Sequence, residues 1–372
     1  MGGSGLTMRI AAFLFGLQIL VASAIYFLRL DGRIMQIPVV HEAAESLRRS
    51  RNVDAVWTKS DGHQRIWGYV DRHSITAGEP INVMLSIKPG QQTLKGALVI
   101  SRVGVRDGKV YKLESWRGDE QIVQSQDLVN SAAAVGANWN VSYFIDHTEN
   151  WKTGYYSLDF AGADGKSDYD IGYIVVKPTE RSGDVLVKLS TNTYQAYNNW
   201  GGSGFYNSSL FSQRDMMVSF DRPTTPGFFD YESYFVAWIE GLAAQRGLKV
   251  GYISDFDLHE DPSIMDGYKL FVSQGHDEYW TKEMFDAVEN RIFKQGKNAL
   301  FLGANTAYWQ VRYADINQSP GGRSWGRQMI CYTNGHLQRP TWAHSRNPID
   351  VMASGSASSL FQASHIASMM AS

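Results

Sequence analysis

The sequence predicts two fold classes in one chain: an all-β domain followed by an open, mainly parallel α/β domain, with an N-terminal transmembrane or signal helix ahead of both. Three observations carry this. Short apolar runs separated by turn residues fill residues 66 to 176, strand and helix patterns alternate after Pro178, and an uncharged apolar stretch occupies Ile10 to Leu28. A chain of 372 residues has room for two or three domains of usual size.

Ile10 to Leu28 is just long enough for a bilayer, which takes about 20 residues. Residues 1–33 therefore read as a signal anchor, or as a signal peptide cleaved near Ala22-Ser23-Ala24. Either reading places the protein in the cell envelope, membrane-anchored by one pass or exported. Arg29 and Arg33 outnumber Arg9, which by the positive-inside rule opposes that orientation. Residues 34–52, with Arg48, Arg49 and Arg51 clustered, form a stalk.

Residues 53–180 form the β domain. Its strands are expected at Ile66 to Val70, Ile81 to Ile87, Ala97 to Val103, Ser142 to Ile145, Tyr155 to Phe160 and Ile171 to Val176, punctuated by Gly78, Pro80, Pro89-Gly90 and Asp164-Gly165. Strands at this spacing, without a helical period, indicate an immunoglobulin-like β-sandwich. Trp151, Gly154 and Tyr156 are assigned to its packing.

Residues 181–335 form the α/β domain. Val185 to Leu189, Val250 to Ile253, Leu270 to Val272 and Ala299 to Leu302 read as strands. One helix follows Asp230, with Tyr234, Phe235, Trp238, Ile239 and Leu242 on one face and Gly247 at its end. A second, capped by Thr281, carries Met284, Phe285, Val288 and Ile292 towards Gly296. In such sheets, sites lie at the carboxyl ends of the strands. The polar clusters at Thr191 to Tyr206, Asp255 to His259, Gly275 to Tyr279 and Gly303 to Trp309 fall there.

Composition removes several functions. A net charge of −2 with 19% charged residues gives no footprint for nucleic acid. The single cysteine, Cys331, rules out a disulfide framework and a cysteine-rich metal site, and its apolar setting reads as a buried structural thiol. No phosphate-binding glycine loop opens a helix after a strand. Gly322-Arg-Ser-Trp-Gly326 spells a serine-hydrolase elbow but lacks the strand-then-helix setting. His276-Asp-Glu-Tyr-Trp280 remains, between a strand and a capped helix. In extended backbone His276 and Glu278 share a side, whereas Asp277 and Glu278 could equally serve the following helix dipole. Asp255, Asp257 and His259 form a second tier with Asp277, readable also as turn and cap residues.

Five stretches in order, Asn192-Thr-Tyr-Gln-Ala-Tyr-Asn-Asn-Trp-Gly-Gly202, Ser219-Phe-Asp-Arg-Pro223, Asp255-Phe-Asp-Leu-His259, Gly275-His-Asp-Glu-Tyr-Trp280 and Gly303-Ala-Asn-Thr-Ala-Tyr-Trp309, resemble the large-subunit family of N,N-dimethylformamidase across roughly residues 60 to 335. The resemblance implies a β domain joined to a domain similar to the class I glutamine amidotransferase fold without its cysteine nucleophile. It also implies a small amide substrate and one Fe(III) held by two tyrosines and a glutamate. By motif these fall on Tyr197, Tyr206 and Glu278, with Tyr194 and Tyr231 as neighbouring competitors for the tyrosine positions. His276 and Asn305 match the family's substrate or water contacts. Hard oxygen donors suit a hard ion, which would have to displace the proton a free phenol holds to about pH 10.

Two other readings stay open at this stage: a non-catalytic envelope binding protein that grips a glycan or protein with its aromatic loops, and a glycosidase using Asp257 and Glu278 as paired carboxylates. The sequence leaves room for a homo-oligomer. From Asn334 the periodicity is lost, and residues 336–372 end in a Ser-, Ala- and Met-rich tail, as a truncated or frameshifted terminus would.

Overall fold

A computed structural model describes residues 64–331, apart from 107–108, 130, 166–167, 206–216, 225–231 and 315–325. The apolar Ile10 to Leu28 stretch, the stalk, the serine-hydrolase-like elbow up to Trp325 and the tail fall outside these residues. Among the described residues no helix is long and apolar enough to cross a membrane.

The first half is β-rich. Strands β1 (Ile66–Val70), β2 (Ser74–Thr76), β3 (Ile81–Ile87), β4 (Leu94–Arg106), β5 (Lys109–Arg117) and β6 (Gln121–Val123) precede a short helix α1 (Ala132–Val135); β7 (Val141–Ile145), β8 (Gly154–Gly162) and β9 (Asp168–Lys177) follow. They make two sheets, β1-β3-β7 and β2-β9-β8-β4-β5, with β6 also paired to β4. Alternation sends Ile81, Val83, Leu85 and Ile87 of one sheet and Leu98, Ile100, Leu158 and Phe160 of the other into one apolar core. Trp151 stacks on Tyr156 there, with ring centroids 4.9 Å apart, as its sequence context predicts. β5 was not expected; its side chains are mostly exposed, so it carries little apolar pattern to read.

In the second half, β10 (Gly183–Lys188) leads into α2 (Thr191–Ala196). After β11 (Met217–Ser219) come α3 (Ser233–Arg246), β12 (Val250–Ile253), α4 (Asp255–Glu260), β13 (Tyr268–His276), β14 (Tyr279–Thr281), α5 (Lys282–Glu289), β15 (Asn298–Ala304), β16 (Trp309–Tyr313) and β17 (Gln328–Cys331). A parallel sheet runs β12-β10-β13-β15, as the alternating pattern predicts. Its central strands bury both faces, one against Val236 and Ile239 of α3, the other against Leu258 of α4 and Met284 and Val288 of α5. Thr281 caps α5 by accepting from Met284 N at 3.3 Å.

Three features depart from expectation. A further mixed sheet, β11-β17-β16-β14, closes around Phe205, Tyr279, Val311 and the buried Cys331. Asp255 to His259 is helix rather than loop, started by a Ser254–Asp257 capping box. On α3, Tyr234 and Trp238 point to solvent, 77% and 52% exposed, and Val236 and Ile239 take the buried face. That helix is apolar on nearly all sides, so its period does not say which side packs.

The two halves share a core. Val103, Tyr155 and Val175 from the β-rich half pack with Val185, Val187, Tyr194 and Tyr252 from the other, and Arg102 pairs with Glu240 of α3 at 2.8 Å.

Candidate functional site

The polar residues with chemical interest gather where β10 and β13 end. β10 delivers α2, whose C-cap residue is Tyr197. β13 delivers His276, and the turn after it carries Asp277 and Glu278. These two strands are hydrogen-bonded neighbours, so their ends lie side by side.

There three side chains meet. The Tyr197 hydroxyl donates to Glu278 Oε2 at 2.9 Å, and His276 Nε2 stands 2.9 Å from that hydroxyl and 3.1 Å from the same carboxylate oxygen. Glu278 is buried, while the Tyr197 ring is 45% exposed, so the cluster opens to solvent from the tyrosine side. The Glu278 backbone is held by Thr193, whose Oγ1 accepts from Glu278 N at 3.1 Å. Asn305 lies exposed on the neighbouring turn in a left-handed conformation, φ 53°. That turn is tied to the site backbone: Ala307 N donates to Asp277 O at 3.0 Å and Trp309 N to Glu278 O at 2.9 Å. Tyr206 falls outside the described residues, although Phe205 before it is anchored by its backbone N–H to Ala196 O at 3.0 Å.

The second-tier residues separate from this cluster. Asp255 and Asp277 both pair with Lys188, fully buried on β10; Lys188 Nζ lies 2.7 Å from Asp277 Oδ1. Burial pushes Asp255 up to about 6 against the opposing pull of Lys188. Asp255 also accepts from Asn192 N at 2.7 Å, and Ser273 Oγ donates to Asp277 at 2.5 Å. This triad is the floor of the site, joining β10, α4 and the β13 turn. Asp257 caps α4 and accepts from Ser74 Oγ at 2.5 Å. His259 Nδ1 is 2.9 Å from Thr281 Oγ1 and 3.3 Å from Glu283, and burial lowers its pKa.

Sequence reasoning missed three supporting residues. Lys188 sits inside an apolar strand run, and a lysine there was the available signal. Arg222, within the Ser219 to Pro223 stretch, is fully buried and donates to the carbonyls of Gln195, Trp200, Ser203 and Ser219, at 2.6 to 3.1 Å. It therefore fixes both the end of α2 and the loop after Tyr197. Glu232 is a buried carboxyl with no mark in the sequence.

The arrangement presents a phenol, an imidazole and a carboxylate on one opening, over a buried floor of one lysine and two aspartates. Among the described residues no group of three His, Cys, Asp or Glu side chains is placed to hold a metal ion. Residues 98–352 match the family described as N,N-dimethylformamidase beta subunit-like, C-terminal. The chain belongs to that family. No individually curated protein matches it. The match covers more than half of the chain and spans all five stretches, including both strand ends that form the cluster.

Proposed function

We propose that the protein is a hydrolase of a small amide or related C–N bond that uses one iron ion held by Tyr197, Tyr206 and Glu278. The convergence of Tyr197 and Glu278 oxygens within 2.9 Å carries the reading, since two hard donors at one opening fit a hard cation better than a soft one. Family membership supports the hydrolase class. When bound, the ion supplies Lewis acidity towards the amide carbonyl.

The chain's own residues supply the rest. Thr193 and the Ala307 and Trp309 backbone hold the Glu278 turn against α2 and the 305–309 turn. His276, whose Nε2 stands beside both oxygens, would take a proton from an attacking water and return it to the departing amine nitrogen. Asn305 at the rim would orient the substrate carbonyl. Among residues 196–205, 275–281 and 303–309 there is no lysine or arginine, so the opening favours a neutral substrate over an anionic one. We infer a cell-envelope location from the Ile10 to Leu28 stretch alone, read as an export or anchor segment, and read the β-rich half as an immunoglobulin-like support.

Metal analysis with an optical spectrum of the full-length chain from iron-replete cells tests the reading. About one iron per chain and a visible tyrosinate-to-iron band are expected. A colourless, iron-free protein would overturn it. Glu278→Gln should lower iron affinity by more than the roughly 10- to 100-fold cost of losing an outer-shell partner.

A further inference from the structure

Glu232 is the N-cap residue of α3, yet its side chain makes no capping bond. It turns inward and is fully buried. Its carboxyl lies against Gly275, the residue before His276: a Cβ on Gly275 would stand 2.9 Å from Glu232 Oε1 and 3.0 Å from its Cδ. Gly275 has φ +83°, so a left-handed turn and a missing side chain together make the space for that carboxyl. On its other side are the Tyr194 hydroxyl and Ser190, at the start of α2. Neither Glu232 oxygen nor the Tyr194 hydroxyl reaches a hydrogen bond of good geometry, and the Gln274 Nε2 group is in the same condition. By strand alternation Gln274 shares its face with Leu270 and Val272, whose core also holds Tyr194. Buried polar atoms left over in this way are the usual setting for an internal water.

Glu232 thus stands between the two elements that carry the cluster, α2 with Tyr197 and β13 with His276. We propose that Glu232 is a positioning residue of the site: as an uncharged acid, with Tyr194 and an internal water, it seats the Gly275–His276 turn against α2, and its ionisation unseats that turn. This rests on the assignment of the cluster as the active site.

Its environment accounts for the uncharged form. Burial raises the Glu232 pKa from 4.5 to about 8, the Tyr194 and Ser190 contacts opposing this and the Asp277 charge adding to it. Tyr194, Tyr155 and Tyr173 also face it, and burial pushes all three phenols far up. Asp277 is committed to Lys188 and Ser273. Among these neighbours, Glu232 is the group that changes charge near pH 8.

The test is a pH titration of the His276 ring resonance by NMR on the full-length, metal-free chain, assigned with His276→Asn. An inflection near pH 8 is expected in the wild type, absent in Glu232→Gln. Tyr194→Phe, which removes a contact that lowers the Glu232 pKa, should move the inflection upward, and it serves if Glu232→Gln does not fold. An inflection that survives Glu232→Gln, one unmoved by Tyr194→Phe, or none in the wild type would overturn the proposal. Because no metal and no turnover are involved, these outcomes are independent of whether iron binds or an amide is hydrolysed.

Discussion

Lys188, Asp255 and Asp277 lie beneath the site with no solvent contact, and one cation between two carboxylates is stable there only while all three are present. Removing one partner of a buried ion cluster costs about 3–5 kcal/mol, because the remaining charges stay desolvated. Lys188→Met is therefore expected to lower unfolding free energy by about that amount, measured by urea denaturation. Glu232 is a different kind of buried group, a carboxyl that keeps its proton in the folded chain. Its folded pKa of about 8 lies above the 4.5 of an unperturbed glutamate, so below pH 4.5 both folded and unfolded chains hold its proton. Between pH 4.5 and 8 only the folded chain does, and stability falls as pH rises through that window, at roughly 1.4 kcal/mol per unit. Glu232→Gln abolishes this slope. Thermal midpoints should match near pH 4.5 and favour the variant increasingly up to pH 8.

Strand ends and the turns that follow them set the geometry of the cluster. β13 and β15 pair with Gly275 opposite Gly303 and His276 opposite Ala304, so two small residues lie side by side beneath the histidine. Gly275→Ala forces a Cβ into a left-handed conformation and against Glu232. It is expected to destabilise the protein by about 1–3 kcal/mol and to broaden or shift the His276 resonance. The loop after α2 depends on Arg222, whose guanidinium gathers four backbone carbonyls. Arg222→Met leaves those acceptors without its donors. Faster amide exchange over residues 198–205 is expected, with weaker iron binding and little change in the β-rich half. Exchange unchanged in that loop would show that other contacts hold it.

On the scale of the molecule, the two halves pack through a shared core. Val103, Tyr155 and Val175 share a core with Val185, Val187 and Tyr252, and cutting near residue 180 would expose apolar surface on both pieces. Residues 181–335 expressed alone should be insoluble or bind hydrophobic dyes, whereas the full chain should unfold in one transition. The β-rich half thereby supports the site indirectly, through Tyr155 and Tyr173, which pack beside Tyr194.

Sequence by itself determined the main strands of the β-rich half, the strand–helix alternation and parallel pairing of β10, β12, β13 and β15, and the family. These are properties of local periodicity and of short motifs, which the chain carries wherever it folds. It also brought Tyr197, His276 and Glu278 forward, because two of them are neighbours in one motif and the third lies in a matching one. What needed the tertiary structure was the sorting of carboxylates into roles. Asp255, Asp277 and Glu278 look alike as letters, and only burial against Lys188 makes two of them floor and leaves one at the opening. The outward turn of Tyr234 and Trp238 was likewise undecided by a helix apolar on most sides. Glu232 left no sequence trace at all, since what distinguishes it is the space made by Gly275, far along the chain and adjacent only after folding.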